Sequence, residues 1–129
     1  MAEFKIDIGE ILTTAGCSQA VIDVARERVR QISKEGWSIQ HDDEHEAGAM
    51  ASAGACYAHR AQFELRPKNE SKPLPELDVD PVITNLWPWD EAWWKPKAPR
   101  PDLVRAAALI IAEIERIDRL TQGKTGNGG

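Results

Sequence analysis

Between Trp87 and Trp94 four tryptophans occupy eight consecutive positions, and prolines stand at 88, 96, 99 and 101. A proline ring fixes φ at about −65° and removes an amide donor, so no helix interior or central strand runs through such a stretch. The chain must carry a large aromatic mass on a loop and place its regular elements on either side of it. Pro67, Pro73, Pro75 and Pro81 punctuate a second segment, 66–81, whose mixed charges follow no period and read as extended loop.

Outside these segments the apolar spacing is helical. Ser18 suits an N-cap, Val21, Ala25, Val29 and Ile32 form one stripe with Arg26, Glu27, Arg30 and Lys34 opposite, and Gly36 is a stop. A helix over 18–35 follows. Asp43 and Glu46 stand in the capping-box relation, which starts a second helix near Glu44 that runs to Glu64. Its run of Ala, Gly and Ser lets another backbone approach closely. Asp102 caps a third, in which Leu103, Ala107, Ile110, Ile114 and Ile117 recur at steps of four and three and Glu115 pairs with Arg119, before Gly123 closes it. Phe4, Ile6, Ile8, Ile11 and Leu12 alternate in part, as in a short N-terminal strand or an arm on the body. The expected fold is mainly α: a compact three-helix domain over 1–122, with the long Pro/Trp-rich loop packed across it and a disordered tail at 123–129.

Composition then narrows the function. One domain fits 129 residues. Sixteen basic against 21 acidic residues give a net charge of −5, the wrong sign for gripping a long phosphate backbone. A single phosphate group remains within reach of a few local cations and amides. Cys17 and Cys56 sit in apolar or small-residue settings, which suits free thiols in a reducing compartment. No apolar run approaches the roughly 20 residues of a bilayer span and no leader pattern is present, so a soluble cytoplasmic protein without a membrane partner is expected.

Three constellations carry chemistry. His41 and His45 stand four apart among Asp42, Asp43, Glu44 and Glu46, a spacing that meets one metal ion on a helix; the capping box instead puts His41 ahead of the helix and makes the histidines polar turn groups. Asp43 with Glu46 and Glu115 with Asp118 are the two acidic pairs that an all-helical, metal-dependent nucleotide pyrophosphohydrolase would need, although a solvated helix face is the better account of the second pair. Cys56 and His59 lie one turn apart with no group in view to orient them. The strong signatures of phosphate loops, nucleophile elbows and zinc modules are absent from the sequence, and no cofactor is implied.

The aromatic segment is the most informative. Trp87, Trp89, Trp93 and Trp94 offer flat faces to a base or a protein partner, with Lys95, Arg100 and Arg105 near for phosphates; alternatively they form a lid on the protein's own third helix. The expected ligand surface joins this segment to the turn that holds Trp37, His41, Asp42 and Asp43.

Glu35-Gly36-Trp37, His41-Asp42-Asp43, Pro88-Trp89, Trp93-Trp94-Lys95-Pro96 and Asp102-Leu103-Val104 together resemble a small, uncharacterised family of phage and prophage proteins over about Arg26 to Arg119. More distantly, Ala25, Gly36-Trp37, Asp42-Asp43, the Pro-aromatic turn and the closing helix are similar to the ryanodine-receptor repeat domain. That likeness implies non-enzymatic binding of a nucleotide or ADP-ribose-like ligand, with Trp37, Asp42, Asp43, Trp89 and Lys95 as pocket positions. In a phage such a protein would sequester an immune signalling nucleotide inside the bacterial host. The alternatives are the pyrophosphohydrolase above and a host-inhibiting protein-interaction module.

Assembly is the last expectation. A small-residue face on the second helix and an Ile/Leu stripe on the third are more than one copy covers, so a homo-oligomer is expected, in which Trp93 or Trp94 of one copy walls the Trp37 to His45 surface of the next.

Overall fold

The structure is a computed structural model that describes residues 7–33, 47–67 and 80–128, with side chains to Gln122. Among the described residues there are helices and no strand: α1 (Ile8–Thr14), α2 (Gln19–Ser33), α3 (Ala49–Glu64), α4 (Pro81–Leu86), a 3-10 turn (Glu91–Trp93) and α5 (Pro99–Gly128). The fold is mainly α, and none of these helices is long and apolar enough to cross a membrane.

Caps explain most of the boundaries and correct several expectations. From Ile8 the segment expected to be a short strand or an arm is a helix, because Asp7 accepts the Gly9 amide at 2.9 Å and starts α1, which carries Ile8, Ile11 and Leu12; Phe4 and Ile6 lie outside the described residues. Ser18 caps α2 by accepting from the Val21 amide at 3.4 Å; the Gly36 stop lies outside the described residues. α3 begins at Ala49 rather than Glu44, since Gly48 takes a φ of 87° just before it, a left-handed turn that a continuous helix cannot contain. The Asp43 and Glu46 capping box is outside the described residues.

Asp80 makes α4 out of what reads as loop, accepting from the amides of Val82 (3.0 Å) and Ile83 (3.4 Å) with Pro81 in the first turn. α5 starts three residues before Asp102, at Pro99. Pro99 and Pro101 occupy the opening turn, where amides have no intrahelical partner and a proline loses nothing. The helix backbone continues past Gly123, the expected stop, to Gly128; the side chains beyond Gln122 lie outside the described residues.

α3 and α5 pack against each other to form the core of Met50, Ala53, Tyr57, Ala106, Leu109 and Ala112. The small residues of α3 set the spacing. A β-carbon at Gly54 would lie 3.0 Å from the Ala106 carbonyl oxygen and 3.2 Å from Ile110 Cγ1, so the helices meet where only glycine leaves room. The small face predicted to need a close backbone is thus filled in part by the chain's own α5.

The predicted stripes do not face the core. On α2, Ile22, Arg28 and Gln31 are buried while Val21, Val29 and Ile32 are exposed; on α5, Ala106, Leu109 and Ala112 are buried while Leu103, Ile110, Ile114 and Ile117 are exposed. α2 instead joins α5 through polar groups. Arg28 Nε donates to Glu115 Oε1 at 2.7 Å, and Arg100 pairs with Asp23 at 2.8 Å.

Gly54→Val tests the close approach. The added branch has backbone on one side and Ile110 on the other, so the variant should lose about 1–3 kcal/mol in urea denaturation, a typical overpacking cost. Unchanged stability would contradict the helix spacing.

Candidate functional site

The aromatic segment is organised around Tyr57, a residue of α3 that lies thirty positions before Trp87. The Tyr57 ring meets Trp94 at 4.7 Å and the edge of Trp87 at 5.7 Å; Trp87 in turn meets Trp94 at 5.0 Å and Trp89 at 5.5 Å. These are edge-to-face and tilted arrangements of the kind that ring quadrupoles favour, each worth roughly 0.5–1.5 kcal/mol beyond area burial.

Polar contacts fix the frame. The Tyr57 hydroxyl accepts from the Lys95 amide (3.3 Å) and from Arg105 Nη1 (3.0 Å), and the same Arg105 nitrogen donates to the Lys95 carbonyl at 3.0 Å. Arg105 also lies 4.9 Å from the centre of the Tyr57 ring. Trp87 Nε1 donates to the Asp90 carbonyl, and Asp90 Oδ1 caps the 3-10 turn through the Ala92 amide.

The four tryptophans therefore divide. Trp87, Trp89 and Trp94 pack on the core, as the lid reading of the sequence anticipates, whereas Trp93 is 64% exposed with the Lys95 ammonium 5.9 Å from its ring centre. Of the expected ligand groups, Trp93 and Lys95 are brought together at the surface. Arg100 is engaged with Asp23, whose carboxyl the Gln19 amide and Arg100 hold below the usual range. Trp37, His41, Asp42 and Asp43 lie outside the described residues. Tyr57 and Arg105 are the organisers; Arg105 is noticeable in the sequence only as a local cation, and Tyr57 gives no signal beyond being the sole tyrosine.

Of the acidic candidates, Glu115 is held by an arginine, as are two further glutamates nearby. Glu115 accepts from Arg28, Glu113 from Arg116 (2.5 Å) and from the Ala51 amide (3.2 Å), and Glu27 from Arg30 at 2.7 Å. Burial disfavours the Glu27 carboxylate, but Arg30 outweighs it and holds the group below the usual glutamate range. Asp118 is exposed on α5, and Glu46 is outside the described residues. Among the described residues no three His, Cys, Asp or Glu side chains are placed to share a metal ion.

Cys56 and His59 acquire the orienting group that the sequence does not reveal: His59 Nε2 lies 3.4 Å from Asp80 Oδ2. The cysteine is nevertheless no nucleophile. It is fully buried beside Ile83, and burial together with Asp80 pushes its thiol up to about 11, so it stays protonated. An open polar groove of about 440 Å³ between α1 and α2 is lined by Asp7, Glu10, Thr13, Gln19 and Arg26, and Arg26 already stands 3.6 Å from Asp7.

Comparison of the chain with protein-family models, with curated proteins and with solved structures finds no match.

Two measurements probe this frame. Trp94→Ala, which empties the space between Tyr57 and Trp87, should cost about 3–5 kcal/mol, and Trp93→Ala less than about 1 kcal/mol; equal losses in thermal denaturation would mean that the lid is not docked this way.

Asp102 supplies the second. It is buried, with Oδ1 accepting the Lys97 amide at 2.9 Å and Oδ2 lacking a partner, and burial raises its carboxyl above the usual aspartate range. The folded state then binds this proton more tightly than the unfolded chain, so the group's contribution falls as pH rises from about 4 through the raised value. The stability of the wild type relative to Asp102→Asn should decline over that window. A difference independent of pH would contradict the buried charge.

Proposed function

We propose that the protein binds a nucleotide-derived ligand without transforming it, through the open face of Trp93 and the Lys95 ammonium beside it. The observation that carries this reading is the exposure of Trp93 on a turn whose other three tryptophans are fixed. The Trp93 ring, left facing water beside a cation, has a π-face that a base can cover. Base–aromatic stacking contributes about 1–3 kcal/mol per base, and a lysine within reach of the same ring adds a point charge for a phosphate.

Binding rather than hydrolysis is favoured because Glu115, which metal-dependent hydrolysis would require, is spent on Arg28. The resemblance to the ryanodine-receptor repeat implies the same kind of binding, and with the resemblance to an uncharacterised phage family it leads us to propose sequestration of a signalling nucleotide in an infected bacterium as the role.

A melting screen with mono-, di- and cyclic nucleotides and ADP-ribose compounds tests the reading. A ligand at 100 times its Kd should stabilise the fold by about 2.7 kcal/mol. Trp93→Ala should lose the shift while it melts like the wild type without ligand. No shift with any compound, or a full shift in Trp93→Ala, would refute the proposal, and release of pyrophosphate in the presence of Mg²⁺ would replace it with hydrolysis.

A further inference from the structure

Among the described residues, one broad apolar face of the core is left without cover. Leu103, Ile110, Ile114 and Ile117 of α5 are 42%, 44%, 50% and 49% exposed. With Ala107 they repeat at alternating steps of four and three, the heptad seam of a packed helix pair, and span about 21 Å at 1.5 Å per residue.

The neighbouring helix continues this face. Gly54 of α3 points at Ile110, and next to it Ala51 and Ala55 are exposed, whereas Ala53 and Tyr57 on the other side of Gly54 are buried under the tryptophans. Two adjacent antiparallel helices thus present an Ile/Leu seam and a low Ala edge in one plane, which is half of a four-helix bundle.

We infer that the missing half is a second copy of this chain, turned about a twofold axis at the level of Ile110. The seam matches itself in that arrangement. Antiparallel pairing about Ile110 sets Leu103 against the partner's Ile117, small Ala107 against the partner's large Ile114, and Ile110 against its own mate. Ala51 of α3 then faces the partner's Ala55, because Gly54 lies beside Ile110 and the two alanines straddle that level.

Charge agrees with the same register. Arg100 and Asp118 are separated by five turns of 3.6 residues, so they share one edge of α5, near opposite ends of the seam. Inverting the partner brings its Asp118 to the level of Arg100, whose side chain is 61% exposed while it holds Asp23, and repeats the pairing at the other end. A parallel partner would set like charges together at both ends.

Disulfide mapping with light scattering tests the inference on the full chain in a Cys17→Ser background, because Cys56 is buried. The protein should run as twice 14.3 kDa at micromolar concentration. Under mild oxidation Ile110→Cys should give a linked dimer in high yield; Leu103→Cys alone should give little, and Leu103→Cys combined with Ile117→Cys should restore it. Ile110→Asp, at a half-exposed position, should halve the mass and leave the helical circular dichroism unchanged. A 14.3 kDa mass for the wild type at all concentrations would overturn the inference, as would cross-linking of Leu103→Cys equal to that of Ile110→Cys. A dimer that survives Ile110→Asp but dissociates with Val29→Asp would place the interface on α2 and overturn it as well.

Discussion

The approach of α3 to α5 at Gly54 is the constraint from which the remaining geometry follows. With Ala106 and Ile110 against a residue that has no side chain, the helix axes lie close, and the buried faces combine small residues (Ala53 and Ala61 on α3, Ala106, Ala108 and Ala112 on α5) with Met50, Tyr57 and Leu109. That choice decides what faces outward. It carries Tyr57 to the flank of α5, where Arg105 reaches its hydroxyl, and it leaves the isoleucines of α5 to the solvent side.

Much of this was legible in the sequence, but unevenly. The start of α2, which the Ser18 side chain caps, and the end of α3 at Glu64, where the helical small-residue run gives way to Pro67, were readable because capping and periodicity are local. The inward faces were not. Periodicity marks a stripe of large aliphatics and presumes it is buried, whereas close helix packing buries alanine and glycine and sends the stripe elsewhere. The same limit applies to α2, whose buried Arg28 looks like a surface residue until Glu115, 87 positions away, is brought to it.

The tryptophan segment shows where local chemistry stops. Its composition announces a special loop, and its prolines forbid regular structure across it, but nothing nearby says which rings are structural. The answer depends on Tyr57 from an earlier helix and Arg105 from a later one. Trp93, one position before the buried-side Trp94, is the ring that the frame does not use. Similarly, Asp80 reads as part of a charged loop, yet it starts α4 and stands against His59.

The frame around Tyr57 also ties the lid to the packing of the helices beneath it. The Tyr57 hydroxyl meets Lys95 and Arg105 across 38 and 48 residues, shorter separations than the 62 between Ala51 and Glu113 or the 87 between Arg28 and Glu115. Docking the lid therefore closes no longer loop than α2, α3 and α5 already close in packing together, and the tryptophans belong to the same cooperative unit as the core.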